Sequence, residues 1–401
     1  MRKRPERAKR RQGKAAQRSS SGPVGKGDRL LFGIVLGLVI FGTIMIFSGS
    51  VPIASVQELP PYYYFLRQLI FVVIGIVVFI FTYNFNYKNY SKIIIPAIAF
   101  TGLLLIIVLF TPKINETHRW LDLGFTTLQV SDVAKLTLTI YLASWLSKPT
   151  QKNPTRNAIE NYIFYNLLPF LLILGVFLVL IIIQPDLSTT MLIAVIAITI
   201  YYLSGRDLLH NIGTAGIFIT MAISGVIAGI IAPYRFQRIT SFLDFLKTGV
   251  LSEPFGRDYQ LRQVLIAVAT GNLFGEGFAQ SKQKFSYLTE TAFSDTIFAI
   301  FAEEFGFFGS VVLISIYIFI MSRGFRIAAT ANDRFGSLLA TGITIWITVQ
   351  AFIHIAVNVG LIPLTGMPLP FISYGGSSLV VSMAAIGILI NISRYSSDFK
   401  E

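Results

Sequence analysis

The chain has 401 residues, of which 54% are hydrophobic and 13% charged, whereas an ordinary soluble domain carries about a quarter charged residues. Its formal net charge is +13, and its mean hydropathy is +0.67. This composition excludes a large soluble catalytic domain, a nucleotide-binding Rossmann unit and a transmembrane β-barrel. Because cysteine is absent, it also excludes disulfides, a thiolate nucleophile and a Cys metal site.

The first 29 residues form a basic segment. Eleven Lys and Arg stand there against Glu6 and Asp28, so +9 of the net charge of +13 is local. Such a run predicts a disordered cytoplasmic tail beside an anionic membrane surface. Nucleic-acid binding is the alternative, but no folded module accompanies the charge. No small-residue cleavage site follows the first apolar run, so we interpret that run as a retained span.

Ten apolar runs follow, each close to the length of about 20 residues that a membrane-spanning helix needs. They lie at 30–49, 64–84, 92–111, 132–148, 163–183, 187–204, 208–232, 294–321, 335–357 and 373–393. The connections alternate in Lys and Arg content: 148–161 and 322–334 hold three each, whereas 50–63 and 358–372 hold none. This alternation predicts that both termini are cytoplasmic.

The predicted fold class is therefore an all-α polytopic membrane protein with ten transmembrane helices. A cytoplasmic tail (1–29) precedes the membrane domain (30–396), and a short cytoplasmic C-terminus (397–401) follows it. Between spans seven and eight lies a large extracytoplasmic loop, 233–293, with seven Lys and Arg. Loops of this length are uncommon unless they are functional, so we expect the chemistry on the outer face.

Charged residues inside spans usually face a cavity or a partner, because each costs about 2.5–3.5 kcal/mol at a helix centre. Asp132 and Lys135 are three residues apart at the start of the fourth span, so they are neighbours on one helix face. On spacing alone, a capped helix start with a local ion pair is favoured over a functional site.

Three carboxylates mark the eighth span: Asp295, Glu303 and Glu304. At about 100° per residue they point in different directions, so they cannot form one compact metal cluster. Asp295, where the loop enters the span, is the best single candidate for a general base. For the two deeper glutamates, interhelical hydrogen bonding or pairing with Lys135 competes with a proton relay.

The outer loop contains three further signals. Arg235 and Arg238 lie on an amphipathic segment, where phosphate binding and interfacial anchoring are equally supported. The glycine-rich stretch 271–277 predicts a tight turn that lets backbone approach a head group or another helix. Lys282 and Lys284 add cations shortly before Asp295.

Other polar residues give weaker signals. Gln184-Pro185-Asp186 is more typical of a turn with an aspartate cap than of a chemical site. His354 is interpreted as a hydrogen-bonded core histidine, too distant in sequence from His118 and His210 to suggest a metal site.

The stretch from Asn358 to Ser378, which contains Pro368-Leu369-Pro370-Phe371 and Tyr374-Gly375-Gly376-Ser377-Ser378, resembles the signature of the SEDS family, whose members are FtsW, RodA and SpoVE. The resemblance covers about residues 30–396, with the motifs in family order. Further matches are His118-Arg119-Trp120, Gln184-Pro185-Asp186-Leu187, Tyr234 to Ile239, Tyr259-Gln260, Gly271 to Gly277, Gln283-Lys284 and Asp295 to Gly306.

The resemblance implies a peptidoglycan glycosyltransferase that polymerises lipid II at the outer face of the bacterial cytoplasmic membrane. The stretch from Asp295 to Ala299 favours the FtsW branch, hence cell division and the septum. Pro368 to Phe371 is closer to RodA, so the polymerase of cell elongation is an alternative. A lipid II flippase is the other rival, although the polar residues concentrate near the outer half rather than along a transbilayer path.

The resemblance also implies the site residues and the partners. Asp295 is catalytic, and Glu303, Glu304, Gln184 and Asp186 support the site. The residues expected at the substrate are Lys135, Asp132, Arg119, Trp120, Arg235, Arg238, Gln283, Lys284 and Ser377. A magnesium or manganese ion at Asp295 is left open as a cofactor, and no organic cofactor is expected. The expected partners are lipid II, the growing glycan strand, a class B penicillin-binding protein, divisome or elongasome proteins and membrane lipids, but no nucleic acid.

Overall fold

A computed structural model describes residues 23, 25–113, 117–124, 126–149, 153–154, 156–205, 207–231, 233–249 and 258–399. The side chains of 222, 224, 226–231, 233–239 and 397 are outside this description. Of the predicted tail, 1–29, residues 1–22 and 24 lie outside it.

The described chain is mainly helical. In order, the helices are α1 (Arg29–Val56), α2 (Tyr63–Asn84), α3 (Tyr87–Ile107), α4 (Val130–Leu146), α5 (Ala158–Tyr162), α6 (Leu168–Ile183), α7 (Leu187–Ser204), α8 (Leu208–Ile231), α9 (Pro233–Thr248), α10 (Tyr259–Thr270), α11 (Gln283–Ser286), α12 (Ile297–Thr330), α13 (Arg334–Asn358) and α14 (Gly376–Ser393). A π-helical turn, Ile163–Leu167, joins α5 to α6. Short 3₁₀ turns follow α3 and α14.

Each of the ten predicted apolar runs coincides with a helix. Among the described residues, eight helices are long and apolar enough to cross a membrane. The other two are α4, which has seventeen residues, and α8, of which Leu208–Met221 is the part described as apolar. The membrane fold is therefore confirmed, whereas the count of ten spans stays a prediction.

One local prediction needs correction, and one element was not predicted. The segment before α4 contains a two-stranded antiparallel hairpin, β1 (Trp120–Asp122) and β2 (Thr127–Gln129), in which Trp120 pairs with Gln129. The predicted cytoplasmic connection 322–334 is mostly helical, since α12 continues to Thr330. The polar side chains of 322–334 end the predicted apolar run, 294–321, but they do not end the helix.

The helices divide into central and peripheral members. In α13 and α14, 78% and 83% of the most apolar window is buried within the protein, whereas in α3 the share is 22%. α14 packs against α2, and α13 packs against α4, α7 and α12. The peripheral helices expose large apolar side chains, including Val77, Phe81 and Ile95. Such outward apolar faces suit contact with lipid chains.

The eighth predicted span, α12, is interrupted at Gly306. This residue has φ 67° and ψ −165°, a conformation that is essentially restricted to glycine. The glycine-rich segment 271–277 fills the gap: Glu276 and Gly277 N–H donate to the Glu303 and Glu304 carbonyls at 2.9 and 3.1 Å. Phe307 and Phe308 N–H donate in turn to the Asn272 and Leu273 carbonyls at 2.9 and 3.1 Å.

A side chain on the inserted segment would collide with α12. A Cβ at Gly271 would overlap the Ala302 carbonyl, and one at Gly275 would overlap the Glu304 carbonyl. The prediction that these glycines allow close backbone approach is confirmed, and the element approached is a helix.

Candidate functional site

Asp295 lies two residues before α12. The helix that is long and apolar enough to cross a membrane begins at Ile297, so Asp295 lies outside it rather than inside the predicted span 294–321. Its backbone carbonyl accepts a hydrogen bond from Asn358 Nδ2 at 3.1 Å, which places it at the C-terminal end of α13. A Cβ added to Gly366 would lie 3.4 Å from Asp295 Oδ2, so the backbone of the following loop passes beside the carboxylate. The side chain stays partly exposed, but burial raises the pKa of its carboxyl.

The loop beside Asp295, residues 363–375, is attached on its first half to two helices. Ser188 Oγ, on α7, donates to the Thr365 carbonyl at 2.8 Å. On α13, Gln350 Nε2 donates to the Pro368 carbonyl at 2.8 Å.

His354, also on α13, contacts the Met367 carbonyl through Nδ1 at 2.6 Å. The prediction of a hydrogen-bonded core histidine is thus confirmed.

The second half of this loop is attached to the turn that carries Asp295. Ser373 Oγ donates to the Ser294 carbonyl at 2.7 Å, and Tyr374 N–H donates to the Phe293 carbonyl at 2.8 Å. The rings of Phe293 and Tyr374 also meet edge to face, with centroids 5.2 Å apart. The backbone that carries Asp295 is therefore attached both to this loop and to α13.

Asp132 and Lys135 form the predicted ion pair, with Nζ and Oδ1 2.9 Å apart and both side chains at most 4% exposed. Ser377 Oγ, at the start of α14, donates to Asp132 Oδ2 at 2.7 Å. Lys135 Nζ also donates to Gln350 Oε1 at 3.2 Å and lies 5.2 Å from the centre of the Trp346 ring.

Gln350 connects this pair to the loop beside Asp295, because its Nε2 binds the Pro368 carbonyl. Trp346 Nε1 donates to the same Oε1 of Gln350 at 2.9 Å. Neither Gln350 nor Trp346 was predicted from the sequence, because both side chains are uncharged. A buried glutamine in a span was the available signal.

The turn Gln184-Pro185-Asp186 joins the hairpin to α7. Asp186 Oδ1 accepts from Thr189 N–H at 3.1 Å, as the predicted helix cap does. Its Oδ2 accepts from Gln129 Nε2 and Ser131 Oγ at 3.1 and 3.2 Å. Arg119 Nε donates to the Gln184 carbonyl at 2.7 Å, and the guanidinium also contacts the Pro185 carbonyl. The turn therefore links β2 and α4 to α7.

Glu303 and Glu304 hold a second buried cluster. Glu304 Oε1 accepts from Lys284 Nζ at 2.7 Å and from Ser48 Oγ at 3.2 Å. Glu303 accepts from Ser281 Oγ at 2.5 Å and from Lys282 N–H at 3.0 Å. Interhelical hydrogen bonding is thus confirmed for Glu304, whereas Glu303 binds the non-helical segment that precedes α11.

Two predictions about this cluster change. Pairing of either glutamate with Lys135 is wrong, because Lys284 is the partner of Glu304 and Asp132 is the partner of Lys135. Lys284 was expected as a cation at the substrate, but its side chain is 1% exposed and its charge is balanced by Glu304. Gln283 is also buried. Lys284 thus attaches segment 281–284 to α12, and contact of Gln283 and Lys284 with the substrate stays a prediction.

Trp120, Arg235 and Arg238 are the remaining predicted site residues. Trp120 is half-buried in the hairpin. Arg235 and Arg238 lie on α9, which confirms the predicted helix there, but their side chains are outside the described residues.

The family model for FtsW, RodA and SpoVE, described as cell cycle proteins, matches residues 28–398. The chain belongs to this family. It is 36% identical over 377 residues to the probable peptidoglycan glycosyltransferase FtsW of Nitrosomonas europaea, with 91% of this chain and 92% of the relative covered. It is 37% identical over 377 residues to the stage V sporulation protein E of Bacillus subtilis, with 92% and 97% covered.

Two solved structures share the fold. A chain in a peptidoglycan synthase complex matches with a TM-score of 0.70 at 23% identity, covering 92% of this chain and 98% of that one. The RodA rod shape determining protein of Thermus thermophilus matches with a TM-score of 0.64 at 20% identity and the same coverage. The family predicted from the motifs is therefore confirmed.

Proposed function

We propose that this chain is a peptidoglycan glycosyltransferase that polymerises lipid II at the outer face of the bacterial cytoplasmic membrane, with Asp295 as general base. The family and the names of relatives such as the Nitrosomonas FtsW support the activity. The observation that carries the residue assignment is the carboxylate of Asp295, partly exposed at a helix end and flanked by a loop with attachments to two helices and the preceding turn.

In the proposed reaction, the 4-hydroxyl of an acceptor sugar attacks the anomeric carbon of a donor sugar. The new glycosidic C–O bond forms as the bond from that carbon to the polyprenyl pyrophosphate breaks. Asp295 accepts the hydroxyl proton, and the pyrophosphate leaves with the bonding electrons. A carboxylate whose pKa is raised by burial is a stronger base once it is ionised, provided the working pH lies above that pKa.

Lys135 and Asp132 act in this proposal as positioning residues. Their pair is enclosed, so its contribution is to fix Gln350 and, through Gln350, the Pro368 carbonyl. Ser377 joins the same pair to α14. Arg119, Trp120, Gln184 and Asp186 support the neighbouring turn. Arg235 and Arg238 are the proposed cations for the donor pyrophosphate, because guanidinium forks bind phosphate oxygens well.

A divalent cation is part of the proposal only in a limited form. Among the described residues, no group of three or more His, Asp or Glu side chains is arranged to hold a metal ion. Asp295 could supply one oxygen ligand, and magnesium often takes its remaining ligands from water and substrate phosphates. A bound cation would balance the charge of the leaving pyrophosphate.

The arrangement of the chain in the membrane is proposed from the sequence pattern and the family. It comprises ten spans, cytoplasmic termini and an outer loop, 233–293. A role in division at the septum is proposed as well. The similarity to a chain of a peptidoglycan synthase complex supports a penicillin-binding protein as partner. The divisome proteins and the surrounding lipids complete the proposed partners.

A lipid II flippase is the second candidate, and the break in α12 is the observation that favours it. Interrupted helices in transporters expose backbone groups to a ligand. Here the groups on either side of Gly306 bind the glycine-rich segment instead, which favours a structural role for the break.

The test is an assay of purified protein with lipid II, with and without the class B penicillin-binding protein. Asp295→Asn should lower the rate of glycan polymerisation by about 10²–10⁴-fold, the usual contribution of a general base, while lipid II binding persists. Asp244→Asn, at an exposed carboxylate on α9, is the matched control and should retain the rate. Near-normal polymerisation by the Asp295 variant would remove this residue from the mechanism. Transport of lipid II without polymerisation by the unaltered protein would favour the flippase.

A further inference from the structure

A polar cavity lies at the end of the helices opposite to Asp295. Its volume is about 300 Å³. It is lined by Lys88, Ser91, Ser144, Ser147, Lys148, Asp333, Arg334 and Phe335. Arg334 opens α13 and Asn358, which binds the Asp295 carbonyl, closes it, so at 1.5 Å per residue the cavity lies about 36 Å from the candidate catalytic end. It therefore belongs to a different site.

The cavity has an excess of positive charge. Three cations line it, Lys88, Lys148 and Arg334, against the single carboxylate of Asp333. That carboxylate is already engaged: its Oδ2 accepts from Tyr87 Oη at 2.6 Å and lies 3.6 Å from Lys88 Nζ, and its Oδ1 accepts from Gly336 N–H at 2.8 Å.

The other two cations are exposed, and no carboxylate in the described part of the chain forms an ion pair with Lys148 or Arg334. Like charges that converge on one cavity repel each other unless an anion lies between them. An anion in the cavity would relieve this repulsion.

Two ammonium groups and a guanidinium are donors that phosphate oxygens accept. The hydroxyls of Ser91 and Ser147 already donate to the Lys88 and Ser144 carbonyls, at 2.7 and 2.9 Å. The cavity also lies where the spans α3, α4 and α13 end. On α3, Ile93 and Ile95 point outward and are 47% and 62% exposed, so apolar surface for acyl chains continues along the same helix. The cytoplasmic leaflet, on which the proposed orientation places this end, contains anionic lipids.

We propose that this cavity binds the phosphate of an anionic phospholipid headgroup, with Lys148 and Arg334 as its principal contacts. Free inorganic phosphate would offer the same oxygen acceptors but would not occupy the apolar surface of α3. The proposal goes beyond glycosyl transfer, and its test does not depend on enzymatic activity.

The test uses the full chain in nanodiscs of phosphatidylcholine mixed with phosphatidylglycerol, and native mass spectrometry counts the lipids that remain on the released protein. A Lys or Arg that contacts an anionic lipid at the membrane surface changes the affinity for that lipid by roughly fivefold. The double variant Lys148→Gln/Arg334→Gln should therefore retain phosphatidylglycerol about thirtyfold less well. Both side chains are exposed, so its melting temperature in pure phosphatidylcholine should match that of the unaltered protein.

Lys92→Gln is the matched control. Lys92 is an exposed cation one helical turn beyond Lys88 on α3, and it does not line the cavity. The Lys92→Gln variant should retain phosphatidylglycerol as well as the unaltered protein does. Equal retention by the double variant, or an equal loss in the Lys92 variant, would overturn the site. If inorganic phosphate stabilises the lipid-free protein against thermal unfolding and phosphatidylglycerol has no selective effect, the occupant is not the lipid.

Discussion

Replacement of Lys135 by methionine tests whether the buried ion pair has a role in catalysis or only in folding. The change leaves Asp132 at most 4% exposed with the Ser377 hydroxyl as its remaining described partner. Removing one member of a buried pair typically costs 3–5 kcal/mol, because the other charge stays buried. This is a large share of the ~5–15 kcal/mol by which proteins are usually stable, so Lys135→Met should be strongly destabilised.

The double variant Asp132→Asn/Lys135→Met separates the two roles. It removes both charges, so no unpaired charge stays buried, although the new amide donor at position 132 costs about 1–3 kcal/mol if it has no partner. We expect its unfolding free energy to lie between those of Lys135→Met and the unaltered protein. Gln350 still loses its ammonium donor, so the loop at Pro368 is less firmly held. A displacement of about 1 Å near a reaction centre can reduce the rate by 10²-fold.

Thermal melts and lipid II polymerisation on the same preparations measure both effects. We expect the double variant to regain part of the lost stability but to show a reduced kcat at nearly constant KM for lipid II, and Lys135→Arg to be impaired less than Lys135→Met. A double variant with normal stability and normal kcat would refute the positioning role. A single Lys135→Met variant without loss of stability would refute the estimate for the buried pair.

Three further predictions follow from individual residues. Since burial raises the pKa of Asp295 above its ordinary value near 3.9, a pH–rate profile should lose activity on the acid side at a higher pH than an ordinary aspartate would give. The same shift makes the unaltered protein less stable as the pH rises through the pKa of the folded state. Thermal melts of Asp295→Asn should lack this decline in stability with pH. A steeper decline in the variant would contradict the sign of the effect. For Arg235 and Arg238, a double alanine variant should raise the KM for lipid II more than it lowers kcat in initial-rate assays, and a loss confined to membrane insertion would favour anchoring. Gly306→Ala should lower the melting temperature, because its φ of 67° and the nearby Gly275 N both exclude a Cβ, whereas Gly175→Ala, at an open helical position, should not.

The sequence by itself determined the membrane helices and the contacts between residues close in the chain. Ten apolar runs coincide with ten helices, because a chain in lipid must satisfy its backbone hydrogen bonds within each segment. Asp132 and Lys135 pair because residues three apart share a helix face. The cap at Asp186 is local in the same way.

The tertiary structure decided which distant residues meet. Glu304 could have paired with either Lys135 or Lys284, because the sequence does not say which of these distant residues lies beside it. Packing of the helices pairs Glu304 with Lys284 and leaves Lys135 with Asp132. The glycines at 271–277 indicated a close approach, but their partner, the break at Gly306, lies some thirty residues away in the chain. Such contacts depend on how the helices assemble, and hydrophobic periodicity within one segment carries no information about them.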